Sequence, residues 1–220
     1  MTFTRRYILA TGAAVGTGLG AGCTRLAEDR LSSTPAVVDD EALAETGYGE
    51  YAVDELVIER TVGRFGLKRT LEVRNWYAEY DRAIPLDAIG LTRLQAAVVA
   101  VLSTPRVSAF GRSFNPVGEY TTDELVELIQ DRYDELEVVE RVGETSVPIL
   151  GTETTVAWYD ARARLVEVGS TLDVAVQVSE AVEHGDDFVL CVAVYPRVGG
   201  LETESDAVRT LMAGIEHEQE

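Results

Sequence analysis

The run Phe188-Val189-Leu190-Cys191-Val192-Ala193-Val194-Tyr195 decides the fold, because it is apolar on both faces of an extended chain. Alternate side chains of a strand point to opposite faces of a sheet, so this pattern predicts a strand covered on both sides. Pro196 ends the run. We therefore expect residues 188–195 to form the centre of the sheet. Cys191 is expected to be a buried, inert thiol rather than a nucleophile.

Alternating apolar and polar residues predict further strands on the N-terminal side of this run. They cover residues 138–142, residues 147–165 with a central break, and residues 172–182. Nearer the N-terminus, residues 51–61 and 67–84 alternate in the same way, and glycines between them indicate a long hairpin.

Residues 94–102 allow two interpretations, because they too are apolar on both faces. Such a run fits either a central strand or a buried helix. The high valine content and the stop at Pro105 favour the strand.

Two segments have helical periodicity. Thr121 and Glu124 have the spacing of a capping box, and an apolar stripe follows at Leu125, Leu128, Ile129, Tyr133 and Leu136. A last helix is predicted over residues 204–218, with four side chains buried: Val208, Leu211, Met212 and Ile215. Strands joined by short turns, with helices entering late, predict an α+β fold in which a largely antiparallel sheet is covered by helices.

The N-terminus has the parts of an export signal. Arg5 and Arg6 precede a short uncharged run, which small residues and Cys23 close. Paired arginines are typical of the twin-arginine route, and the ending resembles a lipobox, which implies that Cys23 is lipidated. The alternative is a short uncleaved N-terminal anchor, since the run is too short for a comfortable membrane span.

This signal sets the predicted domain organisation. Residues 1–22 form a twin-arginine lipoprotein signal peptide, residues 23–46 a flexible tether, and residues 47–220 a single α+β domain. The predicted location is the extracytoplasmic face of the cell membrane, with the lipid on Cys23 as the membrane contact.

The chain is strongly acidic, with 19 Lys and Arg against 38 Asp and Glu and a net charge of −19. Removal of residues 1–22 leaves 17 basic against 38 acidic residues, a charge of −21. The carboxylates are spread along the chain and Lys68 is its single lysine, a pattern similar to that of proteins from salt-loving archaea. Concentrated salt screens the self-repulsion of such a surface. The absence of a basic stripe argues against a nucleic-acid partner.

Residues that could carry chemistry are few. The turn Glu183-His184-Gly185-Asp186-Asp187 could bind a cation through His184, Asp186 and Asp187. Its spacing matches no calcium loop or zinc motif, so a solvated hairpin turn is favoured. His217, near the chain end, is expected to be frayed. No catalytic residue and no cofactor is predicted from the sequence, which contains neither a Gly-x-Ser-x-Gly elbow nor a P-loop.

Phe114-Asn115-Pro116-Val117-Gly118 is the most unusual local sequence. Phe114, Asn115 and Pro116 could wall a pocket or contact a partner from a loop. The favoured alternative is structural: Asn, Pro and Gly turn the chain, and Phe114 fills the core. Aromatic residues in the strands, Trp158 among them, could line a groove, although core packing is the default interpretation.

Four of these features together resemble an uncharacterised family of haloarchaeal lipoproteins: the lipobox, residues 114–118, residues 180–187, and Arg209-Thr210-Leu211-Met212. The resemblance implies a location but no activity. More distantly, the order of hairpin, helix, four-strand meander and C-terminal helix is similar to the PsbP/Mog1-like sandwich. A similarity of topology transfers no function.

The sequence therefore supports two functional hypotheses. The leading one is a membrane-tethered extracytoplasmic lipoprotein that acts as a non-enzymatic binding or assembly module for an unknown protein or small-molecule ligand. The alternative is an extracytoplasmic hydrolase or metal-dependent protein that uses the acidic turn at His184.

Overall fold

A computed structural model describes residues 30–64, 67–84, 94–106, 108–109, 112–113, 116–132, 136–165, 170–197 and 201–218. Arg5, Arg6, Cys23, Phe114 and Asn115 lie outside the described residues, so the predictions made for them stay predictions.

The strands and helices follow in chain order. They are β1 (Arg30–Ser32), β2 (Ala36–Val38), α1 (Asp40–Thr46), β3 (Gly49–Arg64), β4 (Leu67–Ile84), β5 (Leu94–Pro105), β6 (Ser108–Ala109), β7 (Arg112–Ser113), a 3₁₀ turn (Pro116–Gly118), α2 (Thr122–Arg132), β8 (Leu136–Ile149), β9 (Thr152–Leu165), β10 (Ser170–Ser179), β11 (Val182–His184), β12 (Asp187–Pro196), α3 (Leu201–Ala213) and β13 (Ile215–His217).

Most of the described chain forms one open, mixed sheet. Its strand order is β1-β4-β5-β12-β10-β9-β8, with β3 paired to β4 and β11 paired to β12. The pairs are antiparallel apart from β1 and β4, which run parallel. The long hairpin and the β5 strand predicted from sequence are both confirmed. β12 lies between β5 and β10, which confirms that the apolar run from Phe188 to Tyr195 is central.

The two faces of β12 pack against different parts of the chain. Val189, Cys191 and Ala193 belong to an apolar cluster that includes Ala42 of α1 and Leu211 of α3. Leu190 belongs to a second cluster, which includes Leu125 and Val126 of α2 and the valines of β10. This division follows from the alternation of side chains along a strand.

α2 begins with the predicted capping box. The backbone N–H of Thr121 donates to Glu124 Oε2 over 2.8 Å, and the N–H of Glu124 donates to Thr121 Oγ1 over 3.3 Å. The predicted stripe needs a correction at Leu128, which is 48% exposed, whereas Val126 is buried. Leu136 belongs to β8 rather than to the helix, and Tyr133 lies outside the described residues. Thr122, Leu125, Val126 and Ile129 lie on the side facing the sheet, at the i, i+3, i+4, i+7 spacing of one helical face.

The last helix ends earlier than predicted, at Ala213. A Cβ on Gly214 would lie 2.6 Å from Ala42 Cβ and 2.9 Å from Asp39 Oδ2, so glycine allows the end of α3 to approach the start of α1 closely. The chain then continues as β13, which pairs with β2. Ile215 is buried as predicted, but within a strand rather than a helix.

The prediction of a flexible tether over residues 23–46 is wrong for residues 30–46, because these residues are part of the folded domain. β1 pairs with β4, and β2 pairs with β13. Ala36, Val38 and Ala42 are buried. The sequence did not reveal β1, β2 and α1, because elements of seven residues or fewer are too short to show apolar periodicity. The strands that pair with β1 and β2 are also remote in sequence. No helix among the described residues is long and apolar enough to cross a membrane.

Candidate functional site

Both histidines of the chain meet at the turn between β11 and β12. His217 Nδ1 lies 2.9 Å from His184 Nδ1. On the other side of its ring, His217 Nε2 lies 3.1 Å from Asp187 Oδ2 and 2.8 Å from Thr34 Oγ1. The side chain of His217 is 1% exposed and that of Asp187 is 9% exposed. We call these four residues, Thr34, His184, Asp187 and His217, the histidine cluster.

Hydrogen-bond chemistry restricts where the protons of this cluster lie. Two ring nitrogens in contact need one donor and one acceptor, so the two Nδ1 atoms cannot both carry a proton. When a neutral His217 ring donates from Nε2 to the Asp187 carboxylate, its Nδ1 carries no proton and accepts from His184 Nδ1. Thr34 donates its backbone N–H to Asp187 over 2.9 Å and its hydroxyl to the carbonyl of Glu218 over 2.6 Å. The cluster therefore joins both ends of the described domain to the β11–β12 turn.

These contacts correct two predictions about the turn. His217 is not frayed, because β13 pairs with β2 and buries its ring. Asp187 is buried rather than solvated, whereas Asp186 is exposed. Among the residues that the structure describes, no three His, Cys, Asp or Glu side chains form a group that could hold a metal ion.

The 3₁₀ turn at Pro116–Gly118 lies beside the β11–β12 turn, because it packs on Phe188, the residue that directly follows Asp187. A Cβ on Gly118 would lie 2.5 Å from Phe188 Cε1, so the turn packs directly on the ring. The guanidinium carbon of Arg106 lies 5.9 Å from the centre of the Phe188 ring. Arg106 also forms an ion pair with Glu183 and donates to the carbonyl of Gly185 over 3.1 Å. Residues 116–118 and the turn at residues 183–187, which are far apart in sequence, are therefore neighbours in the structure.

A groove of about 450 Å³ lies elsewhere, between α3 and the sheet. Its sheet side is formed by Trp158 and Asp160 of β9, Ala175 of β10 and Tyr195 of β12. Ala175 pairs with Asp160 on one side and with Tyr195 on the other, so their side chains share one face. The opposite wall of the groove comes from α3, through Ser205, Asp206 and Arg209, and Arg197 also lines it.

The polar groups of the groove form ion pairs and hydrogen bonds with one another. Arg197 forms an ion pair with Asp160, and Arg209 forms one with Asp206. Behind them, Gln177 Nε2 donates to Tyr195 Oη over 2.7 Å and to Ser205 Oγ over 3.1 Å. Burial raises the pKa of Tyr195, which keeps its hydroxyl protonated at neutral pH.

The sequence identified two residues of this groove, Trp158 and Tyr159, as possible groove aromatics. It missed the four charged residues of the lining, Asp160, Arg197, Asp206 and Arg209. Charged residues are frequent in this chain, so no local pattern distinguishes these four. The groove forms only when α3 lies across β9, β10 and β12, and that placement is not encoded in any one segment.

The fold and the groove define a class of protein: an open mixed sheet with helices packed against it and a groove beside the last helix. A family model described as a domain of unknown function, DUF6517, matches residues 35–216, and the chain belongs to that family. This confirms the prediction of an uncharacterised family. No curated protein matches the chain.

Proposed function

We propose that this protein is a lipid-anchored, non-enzymatic binding module of the haloarchaeal type, held at the extracytoplasmic face of the cell membrane. The groove between α3 and the sheet is the observation that carries the binding role. Its volume of about 450 Å³ falls within the range of small-molecule pockets, roughly 300–1,000 Å³. Aromatic and apolar side chains form half of its lining and polar side chains the other half, so the groove is more polar than most small-molecule sites.

The beginning of the folded domain affects how such an anchor works. Arg30 is the first described residue of β1 and follows Cys23 by seven positions. Seven residues span at most about 25 Å even when fully extended. An anchored domain is therefore held close to the membrane surface, where the groove meets ligands of the cell envelope. A single acyl chain binds only marginally, so the usual two-chain lipid is expected on Cys23.

The anchor is tested by Cys23→Ser. We expect this variant to leave the membrane fraction or to accumulate as an unprocessed precursor, because serine cannot carry the thioether-linked lipid. Cys191→Ser, the same change at the other cysteine of the chain, serves as the matched control and stays membrane-bound. Normal processing and unchanged membrane retention of Cys23→Ser would contradict the lipoprotein proposal.

The binding role is tested by placing a photo-crosslinking amino acid at Asp206, an exposed residue of the groove wall. Irradiation of intact cells in molar salt is expected to give a defined adduct. Asp173, an exposed aspartate of β10 outside the groove lining, is the control position. Adducts at neither position, or equal labelling at both, would overturn the binding module.

A second candidate function is a hydrolase that uses the histidine cluster. Thr34, His217 and Asp187 are the residue types of a nucleophile, a general base and an orienting carboxylate, and they are within hydrogen-bond distance. However, Thr34 and Asp187 contact the same ring nitrogen, whereas a triad places them on opposite nitrogens. Ester hydrolysis by the protein that disappears in Thr34→Val would establish this candidate in place of the binding module.

We also propose that the chain shares the PsbP/Mog1-like topology. The order of the β3–β4 hairpin, α2, the strands β8 to β12 and α3 supports this proposal. An experimental structure whose strand order differs from that of PsbP/Mog1-like proteins would reject it.

A further inference from the structure

The charges that line the groove cancel, although the protein as a whole is strongly acidic. Two cations, Arg197 and Arg209, face two anions, Asp160 and Asp206, and each cation forms an ion pair with one of the anions. The net charge of the whole chain is −19. A charged ligand would have to break one of these ion pairs, whereas an uncharged ligand can accept hydrogen bonds from the arginines and donate to the aspartates.

Two buried polar groups near the groove have no hydrogen-bond partner among the described residues. One is the indole N–H of Trp158, a donor, and the other is the amide oxygen of Gln177, an acceptor. Trp158 and Gln177 are directly opposite on β9 and β10. An unpaired buried polar group is destabilising by about 1–3 kcal/mol. Both atoms are fully buried, and Gln177 does not line the groove, so they make the surroundings of the groove polar rather than contacting a bound ligand directly.

Aromatic and hydroxyl groups complete the lining. Trp158 is partly exposed and presents aromatic surface, and the buried Tyr195 and Ser205 carry hydroxyl groups. Such a set suits a ligand that has an apolar ring face and several hydroxyl groups around its edge. A saccharide has both, and the groove volume of about 450 Å³ lies within the range of small-ligand sites, roughly 300–1,000 Å³.

We propose that the groove binds an uncharged saccharide, with Trp158 as its aromatic contact and the two arginine–aspartate pairs as hydrogen-bonding groups for its hydroxyls. This inference rests on the proposed binding function, since it names the class of ligand for the same groove.

The test uses Trp158 as a fluorescent reporter. The chain has two tryptophans, so Trp76→Phe leaves Trp158 as the only one. This protein is titrated in molar KCl with neutral sugars (glucose, galactose, mannose, N-acetylglucosamine and their disaccharides) and with glucuronate as the charged counterpart. We expect a saturable change with at least one neutral sugar and none with glucuronate.

Asp160→Asn distinguishes a neutral saccharide from an anionic ligand, because it should change the affinity for the two in opposite directions. Loss of the carboxylate removes a hydrogen-bond acceptor, so saccharide affinity should fall by about tenfold. The same change frees Arg197, so the affinity for an anion should instead rise. Asp173→Asn, the same substitution in an ion pair with Arg162 outside the groove, should leave affinity unchanged. Arg209→Gln, at a partly exposed position, is a second variant expected to weaken sugar binding.

Each outcome decides the inference. Neutral sugars that bind and are weakened by Asp160→Asn and Arg209→Gln support it. Binding of glucuronate alone, strengthened by Asp160→Asn, overturns the saccharide while leaving the binding module in place. No response to any sugar also overturns it, and the crosslink at Asp206 then decides separately whether the groove binds another ligand.

Discussion

Cys191 lies on the face of β12 that packs against α1 and α3, and it is fully buried. Its backbone N–H donates to Ser179 Oγ over 2.9 Å, which fixes β12 against the end of β10. Burial raises the pKa of the thiol to about 12, because the thiolate would lose its hydration there. The thiol is therefore protonated and unreactive at neutral pH.

This environment predicts how Cys191 reacts and what its removal does. Thiol labelling at Cys191 should be slow in the native state and rapid after unfolding by urea. Cys191→Ala should destabilise the protein by about 1 kcal/mol, the scale for a small deletion in a packed core. Rapid labelling of the native protein would show that β12 opens, and would make Cys191 a functional candidate.

The raised pKa also predicts a dependence on alkaline pH. The unfolded thiol titrates near 9.0 and the folded one near 12, so its contribution to stability is fully present below pH 9. That contribution is lost as the pH rises towards 12, because the unfolded state releases its proton first. Four buried tyrosines act similarly from pH 10 upward. In Cys191→Ala, the alkaline fall in unfolding free energy should begin about one pH unit later; an unchanged onset would contradict this.

His217 is the residue whose role is most changed by the tertiary structure. His217→Ala should destabilise the domain by about 2 kcal/mol, because it leaves the buried carboxylate of Asp187 without the ring N–H. Urea unfolding at constant molar KCl measures this effect. Glu216→Ala, at the exposed neighbouring position of β13, is the control and should change stability by less than about 0.5 kcal/mol. Equal effects of the two variants would show that the histidine cluster does not stabilise the domain.

At the level of elements, α2 depends on its first turn. The capping box satisfies two backbone N–H groups that the helix itself leaves unpaired. Thr121→Ala should therefore destabilise the protein by about 1 kcal/mol. Glu127→Ala, at an exposed position of the same helix, is the comparison. A fully folded protein with no loss of unfolding free energy in Thr121→Ala would show that packing of Leu125 and Val126 alone fixes the helix.

The two edges of the sheet are protected in different ways. β3 presents exposed carboxylates, among them Asp54, Glu55 and Glu59, and their charge opposes pairing with another chain. β8 has irregularities in its pairing with β9 at Val138/Glu140 and Arg141/Gly143. Such bulges bend an edge strand and interrupt its ladder. These features suit a sheet that is open at both ends.

For the whole molecule, the dominant long-range interaction is electrostatic repulsion among its excess carboxylates. After removal of residues 1–22, the chain would carry 17 basic against 38 acidic residues. Several arginines form ion pairs at the surface, for example Arg74 with Glu55 and Arg141 with Asp123, but most carboxylates have no basic residue to match them. Surface ion pairs contribute little individually, so they do not offset the excess charge.

Salt should therefore stabilise the protein. We expect the thermal midpoint to rise by about 10 °C, or roughly 3 kcal/mol, between dilute buffer and 1 M KCl. Most of the gain should come as the screening length falls from about 30 Å to about 3 Å. A midpoint that does not move over this range would count against the interpretation of the acidic composition as an adaptation to salt.

The sequence by itself determined the elements whose signal is local. The run at residues 188–195 identified the central strand, alternation identified the β3–β4 hairpin, and Thr121 with Glu124 identified the start of α2. These predictions succeed because side-chain alternation and capping act within a few residues. The predictions for the end of α3 and for a tether at residues 30–46 were wrong. The positions of Gly214, β1 and β2 depend on contacts with residues far along the chain.

The candidate sites were decided only by the tertiary structure. His184 and His217 are 33 residues apart, and Thr34 is 183 residues from His217, so no local pattern shows that they meet. The groove likewise needs α3 to lie against β9, β10 and β12 before Trp158, Asp160, Tyr195 and Arg209 share a space. Sequence periodicity specifies which face of an element is buried. Which polar groups then face one another is set by the packing of whole elements, because that packing minimises the exposed apolar surface of the entire chain.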